Sequence, residues 1–205
     1  MNQKQANQKT GSAVAPSSLL RYVFREVLAG DTRKFKAQSN DATTGGGARD
    51  FRFRPYDKFG GIFEQMLSSR KTELRLRDGV RVPQELYTSR VRVVGQNGAY
   101  VDKPIEFEPP TTARPDEGRL TRLSSYGLEV PSGNGGRILL LLYQTGDSQL
   151  WLNFVTQQQL EAGLWDATLT KLLLNCLNAP RAQNHAAQGF HDFALGSDFC
   201  KSAGN

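Results

Sequence analysis

Apolar positions recur along this chain at two different spacings, and the alternation between them predicts a mainly β domain carrying a few helices. After Ser17-Ser18, a cap candidate, Leu19, Leu20, Val23, Val27 and Leu28 recur at helical spacing until Gly30 stops the pattern, which predicts an amphipathic helix. Arg33-Lys34-Phe35-Lys36-Ala37 is a short strand candidate. Arg49-Asp50-Phe51-Arg52-Phe53-Arg54 alternates charge with aromatic rings, the period of a half-buried strand with a basic outer face. Pro55 ends it, and Phe59, Ile62, Phe63, Met66 and Leu67 return to helical spacing across the unfavourable pair Gly60-Gly61.

Residues 73–77, 80–82 and 90–94 alternate Arg with aliphatic side chains, and Gly95-Gln96-Asn97-Gly98 predicts a hairpin turn before Ala99-Tyr100-Val101. Pro104 to Pro115 reads as a Pro-punctuated loop ahead of Asp116 to Leu123. Gly133-Asn134-Gly135-Gly136 reads as a turn before the most apolar run, Ile138 to Leu142, which pairs with Leu150 to Val155 as central strands. A last helix is expected from Trp165 to Leu177, with Leu169, Leu172, Leu173 and Cys176 on its apolar face. Residues 1–16 are expected to be disordered, 17–178 to form one domain, and 179–205 to be a weakly patterned tail. The expected class is α+β, mainly β: a pseudobarrel of about seven short strands with flanking helices. No βαβ repeat is visible, which counts against the nucleotide-cofactor folds.

Composition narrows this picture. With 205 residues, 38% of them hydrophobic and eleven of them Phe, the chain can bury one good core and hardly two. It shows no apolar run suited to a signal peptide or a membrane span, so a soluble, cytoplasmic protein without a membrane partner is expected. Cys176 and Cys200 are too few to suggest a disulfide framework, and a reducing compartment is the expectation they support.

The net charge of +6 is unevenly placed: residues 1–130 hold 22 Lys/Arg against 15 Asp/Glu, and residues 131–205 hold 4 against 5. A basic field on one part of a domain favours a polyanion, most commonly nucleic acid. Arg dominates the excess, and its planar fork suits bidentate contact with phosphate or guanine. Ser39 to Arg49, with Gly45-Gly46-Gly47 at its centre, reads as a polar arm: glycine allows close backbone approach, and the flanking Asn, Asp, Thr and Arg offer donors and acceptors.

Catalytic patterns are weak by comparison. A metal-dependent nuclease needs clustered carboxylates, and Asp116-Glu117 is the nearest approach, with Asp50 and Asp57 as further acids for a divergent site. His185 and His191, the only histidines, fall in the tail. Cys176, His185, His191 and Cys200 are zinc-type ligands without finger spacing. No cofactor or metal is expected. Arg119-Leu120-Thr121-Arg122 supplies a second Arg-bearing element, with Arg119 and Thr121 on one face.

In order along the chain, Asn40-Asp41, Thr44-Gly45-Gly46, the helix Phe59 to Leu67, Glu117, Arg119-Leu120-Thr121-Arg122, Tyr126-Gly127 and the paired strands 136–143 and 150–155 form a recognisable series. Across residues 20–178 the chain resembles the N-terminal effector-binding domain of EcoRII-type restriction endonucleases, a DNA-binding pseudobarrel akin to the plant B-three domain. The resemblance implies a module that recognises specific duplex DNA through two arms and regulates a separate nuclease domain or subunit. It places Asn40, Asp41, Thr44 and Arg49 on the first arm and Glu117, Arg119, Thr121 and Arg122 on the second. Arg33, Lys34, Lys36, Arg52 and Arg54 are then expected to contact phosphates. A cryptic nuclease and a basic protein-interaction barrel are the alternatives.

Overall fold

The run from Ile138 to Leu142 lacks polar alternation because its strand is covered on both faces. In the computed structural model, which describes residues 19–35, 50–77, 79–94, 99–132, 136–180 and 185–201, β7 (Ile138–Thr145) lies between β1 (Leu19–Val27) and β8 (Leu150–Thr156), antiparallel to both. Leu140 and Leu142 enter the inner core with Val23 and Val27 of β1. Leu139, Leu141 and Tyr143 face the other way with Tyr22 and Phe24. They meet helix α3 (Ala167–Asn178), which buries Leu169, Leu173, Cys176 and Leu177. Full burial of one such aliphatic side chain stabilises by roughly 1.5–3 kcal/mol.

Among the described residues ten strands form one curled sheet in the order β10, β9, β1, β7, β8, β4, β5, β6, β2, with β3 attached to β4. The remaining strands are β2 (Phe51–Phe53), β3 (Ser69–Arg77), β4 (Val80–Val94), β5 (Tyr100–Glu108), β6 (Gly118–Leu120), β9 (Gln188–Asp192) and β10 (Ser197–Lys201). The curled sheet is an open half-barrel, and the protein is of the α+β, mainly β class. Helix α1 (Tyr56–Met66) closes its inside with Phe59, Ile62, Phe63 and Met66. Phe63 stacks on Phe107 of β5 at 3.8 Å between ring centroids, and Phe53 meets Phe59 and Phe63 edge-on. A short helix α2 (Gln157–Glu161) follows β8 directly, with Thr156 and Gln159 forming a capping box.

Several expectations change. Leu19 to Val27 is a strand, because its β-branched and aromatic residues find partners on both faces; helical spacing of five aliphatics was the weaker signal. Residues 29–35 form a 3-10 helix rather than a strand, with Asp31 bonding the Leu28 N–H at 3.1 Å. Pro104 does not break structure: β5 runs through it to Glu108. The expected tail contributes β9 and β10, and β9 pairs with β1 from Arg21↔Asp192 to Arg25↔Gln188. The expectations on residues 1–18, 36–49, 95–98 and 133–135 lie outside the described residues.

The two cysteines are joined to each other. Cys176 of α3 and Cys200 of β10 form a disulfide across 24 positions, with Cα atoms 5.8 Å apart. This bridge ties the edge strand to the helix that covers β7, and it removes both thiols from any zinc site. Reduction is expected to lower unfolding stability by about 2–4 kcal/mol, read as a fall in the urea midpoint with dithiothreitol. An unchanged midpoint would contradict the bridge.

Candidate nucleic-acid interface

Strands β3, β5, β6 and β2 carry a lattice of charges built on carboxylates that water does not reach. Glu106, Glu108 and Glu117 have side chains only 2–4% exposed. Strand alternation places them: Phe107 and Leu120 pair and point into the core, so Glu108 and Arg119 pair on the opposite face. Arg119 pairs in turn with Arg52 of β2, so one cross-strand row reads Glu108, Arg119, Arg52.

Arg119 is the hub of this row. Its guanidinium lies 2.9 Å from Glu108, 3.1 Å from Asp50 and 3.8 Å from Glu117, and the side chain is only 12% exposed. Glu117 also holds Arg54 in a hydrogen-bonded ion pair and faces Arg52 Nε at 3.5 Å. Glu106 receives Lys71 Nζ at 2.7 Å and Arg122 Nε at 2.9 Å. Arg75 spans Glu108 at 3.4 Å and Glu106 at 3.8 Å. The contacts of Arg122 with Glu106 Oε2 and of Arg52 with Glu117 Oε1 are ion pairs without hydrogen-bond alignment, and buried Asp50 Oδ1 has no hydrogen-bond partner among the described residues.

The outer layer of this lattice is cationic. Arg52, Arg54 and Arg122 are 44%, 52% and 53% exposed, although each is ion-paired with an inaccessible carboxylate. Arg122 sits in the left-handed backbone region at φ 58°, which costs energy for a residue with a Cβ. Its carbonyl accepts from the N–H and the hydroxyl of Ser125, both at 2.8 Å, and the buried Tyr126 hydroxyl donates to the Thr121 carbonyl at 2.8 Å. That turn aims Arg122 at Glu106. Tyr126 is driven well above the ordinary tyrosine range by burial, so the hydroxyl keeps its proton.

Two glycines fit the aromatic support beneath the lattice. A Cβ on Gly118 would lie 2.3 Å from Phe107 and 3.0 Å from Tyr56, and one on Gly60 would meet the Tyr56 ring at 2.8 Å. The absence of side chains there lets Tyr56 lie against β6, where its N–H bonds Asp116 at 3.0 Å. Next to these residues a groove of about 690 Å³ runs along Tyr56, Pro83, Tyr87, Pro109 and Pro110.

The expected site residues divide into three groups. Arg52, Arg54, Glu117, Arg119, Thr121 and Arg122 come together, but Glu117, Arg119 and Thr121 are inward parts of the platform and do not project from it. Thr121 is buried, with its hydroxyl 3.4 Å from the Glu106 carbonyl. Lys34 stands apart, paired to Asp31 at 2.6 Å and lying 5.2 Å from the Phe51 ring centroid. Arg33 beside it is exposed. Lys36, Asn40, Asp41, Thr44 and Arg49 lie outside the described residues. The positions from which that segment leaves and returns are close, since the Phe35 and Phe51 rings meet at 5.5 Å.

Lys71, Arg75, Glu106 and Glu108 were missed from sequence. Their signal was Lys-Thr-Glu-Leu-Arg and Ile-Glu-Phe-Glu alternation, which places like residues on one strand face. The acids proposed for a cryptic nuclease are otherwise engaged: Asp50 and Glu117 by arginines, Asp116 by the Tyr56 N–H, and Asp57 by Lys58 at 3.7 Å. Among the described residues no group of three or more His, Cys, Asp or Glu side chains is arranged to hold a metal, and no helix is long and apolar enough to cross a membrane. Compared with protein-family models and with curated proteins, the chain matches none.

Removal of Arg119 strands buried carboxylates. Arg119→Ala is expected to destabilise by about 3–5 kcal/mol, against at most about 1 kcal/mol for the half-exposed Arg54→Ala, both measured by urea denaturation. Equal losses would contradict the hub assignment. Hydrogen bonds to Glu106 and Glu73 raise the Lys71 ammonium, and Lys71 lowers the Glu73 carboxyl. The Lys71 contribution is thus present below its ordinary pKa and lost as pH rises through the raised value. That of Glu73 is present above its ordinary pKa and lost as pH falls through the lowered one. Lys71→Met should flatten both limbs of a stability–pH profile slightly, since the two groups are largely in water.

Proposed function

We propose that this chain is a sequence-specific double-stranded DNA-binding module, non-catalytic by itself, of the kind that serves as the recognition domain of an EcoRII-type restriction endonuclease. The observation that carries this reading is the set of half-exposed guanidinium groups of Arg52, Arg54 and Arg122, each anchored on a buried carboxylate. A side chain already held in place loses little further freedom on meeting a phosphate, and the Arg fork matches phosphate geometry.

In this reading the roles differ from a simple two-arm division. Arg52, Arg54 and Arg122 contact phosphates and set register. Glu117 and Arg119 are positioning residues, and base reading falls to Asn40, Asp41, Thr44 and Arg49 on the segment that leaves beside Phe35 and returns at Asp50. A good bidentate side chain–base pair contributes about 1–3 kcal/mol of discrimination. A nuclease domain or subunit is the partner that would act on the recognised site. A cytoplasmic location follows here from the DNA partner and not from the cysteines, which are bonded to each other.

Selection from a randomised duplex library at two salt concentrations, with Mg²⁺ present and products checked for cleavage, tests the reading. Enrichment of one short motif that persists at the higher salt, without cleavage, is expected. Alanine at Arg52, Arg54 or Arg122 should weaken all duplexes alike and reduce the slope of log K against log salt by about 0.9 per contact. Cleavage lost on Asp116→Ala would favour a nuclease, and absence of binding at low salt would favour a protein partner.

A further inference from the structure

We propose that the β3–β4 ribbon is a further nucleic-acid-contacting element, reaching from the base of the cationic face into a duplex groove; the inference rests on the DNA-binding reading above. Strand β4 is fifteen residues long, and its pairing with β5 begins only at Tyr87. Residues 80–86 therefore have β3 as their strand partner, from Arg77↔Val80 to Lys71↔Leu86, and make a two-stranded ribbon that runs past the body of the sheet. Nine residues of strand span about 30 Å, close to one turn of B-DNA. A two-stranded ribbon is also narrow enough for the major groove.

The charge of the ribbon names the partner. The ribbon, residues 69–86, holds five Lys/Arg against three Asp/Glu, a third of the chain's net charge of +6 in eighteen residues. Its base is continuous with the proposed interface, because Lys71 and Arg75 reach Glu106 and Glu108 from the same ribbon face. Farther out the anchoring stops: on the opposite ribbon face, where Leu76 pairs with Arg81, Arg81 is exposed and makes no ion pair with any described residue. Leu74 on the face of Arg81 and Val80 on the other face are 65% and 61% exposed, an uncommon position for aliphatic residues on an edge ribbon. Cations mixed with small apolar groups suit a duplex groove, where phosphates line the walls and thymine methyls lie on the floor. The sequence assigns no arm to this segment, and its basic residues are not needed to complete the carboxylate lattice beyond Lys71 and Arg75.

The test is the salt dependence of duplex binding by fluorescence anisotropy, for wild type, Arg81→Glu and Arg52→Ala, with sedimentation of wild type and Val80→Ser alongside. The expected result is that Arg81→Glu lowers the slope magnitude by about 0.9, as Arg52→Ala does, with an unchanged urea midpoint. A drop for Arg52→Ala but none for Arg81→Glu would overturn the ribbon and leave the DNA-binding reading standing. A wild-type protein that binds no duplex would overturn both. A wild-type dimer lost in Val80→Ser would assign the ribbon tip to a second copy of the chain and overturn the proposal.

Discussion

A carboxylate withdrawn from water must be met by a cation, and on this half-barrel that requirement falls on Glu106, Glu108 and Glu117 together. It fixes Arg119 between β5 and β2, and it makes a slip in register costly, since one residue of shift would turn these acids into the aromatic core. It also decides where Arg52, Arg54 and Arg122 emerge. The same ion pairs that satisfy buried charge therefore leave an ordered array of guanidinium groups facing solvent.

The rest of the fold keeps that face in place. Phe107 is packed by Phe63 on one side and bordered by Tyr56, while the missing side chain of Gly118 allows the close approach. On the far side of the sheet, β1 and β7 are covered by α3, which the disulfide joins to β10. Arg137 ties the same region together: its guanidinium takes both Glu26 oxygens at 2.7 and 2.8 Å and donates to the Leu177 carbonyl. The chain positions on either side of residues 36–49 are joined to this body, where the Phe35 and Phe51 rings meet.

What could be read from sequence was whatever depended on local pattern. Phe51-Arg52-Phe53 alternates and is a strand; Phe59 to Met66 keeps helical spacing and is a helix; Ile138 to Leu142 is a strand buried on both faces. Leu19 to Val27 was misread because a strand covered on both faces loses its alternation and its aliphatics then fit a helical period by accident. Gln188 to Asp192 and Ser197 to Lys201 are too short to declare themselves: the first is a strand because β1 offers an edge, and the second because the first then offers its own. In the site, Arg52, Arg54 and Arg122 were legible as basic positions. That Arg119 is sunk among Asp50, Glu108 and Glu117 was not, since those acids come from three separate segments.

In the proposed function, arginines paired with buried carboxylates form a ready-made surface for the DNA backbone. The most direct measurement is NMR of the Arg Nε–H groups in the free protein and on titration with duplex DNA. The Nε–H signals of Arg52, Arg54 and Arg122 should be ordered before DNA is added and shift together as it binds. Disordered side chains in the free protein, or signals that stay where they are when duplex is added, would contradict it.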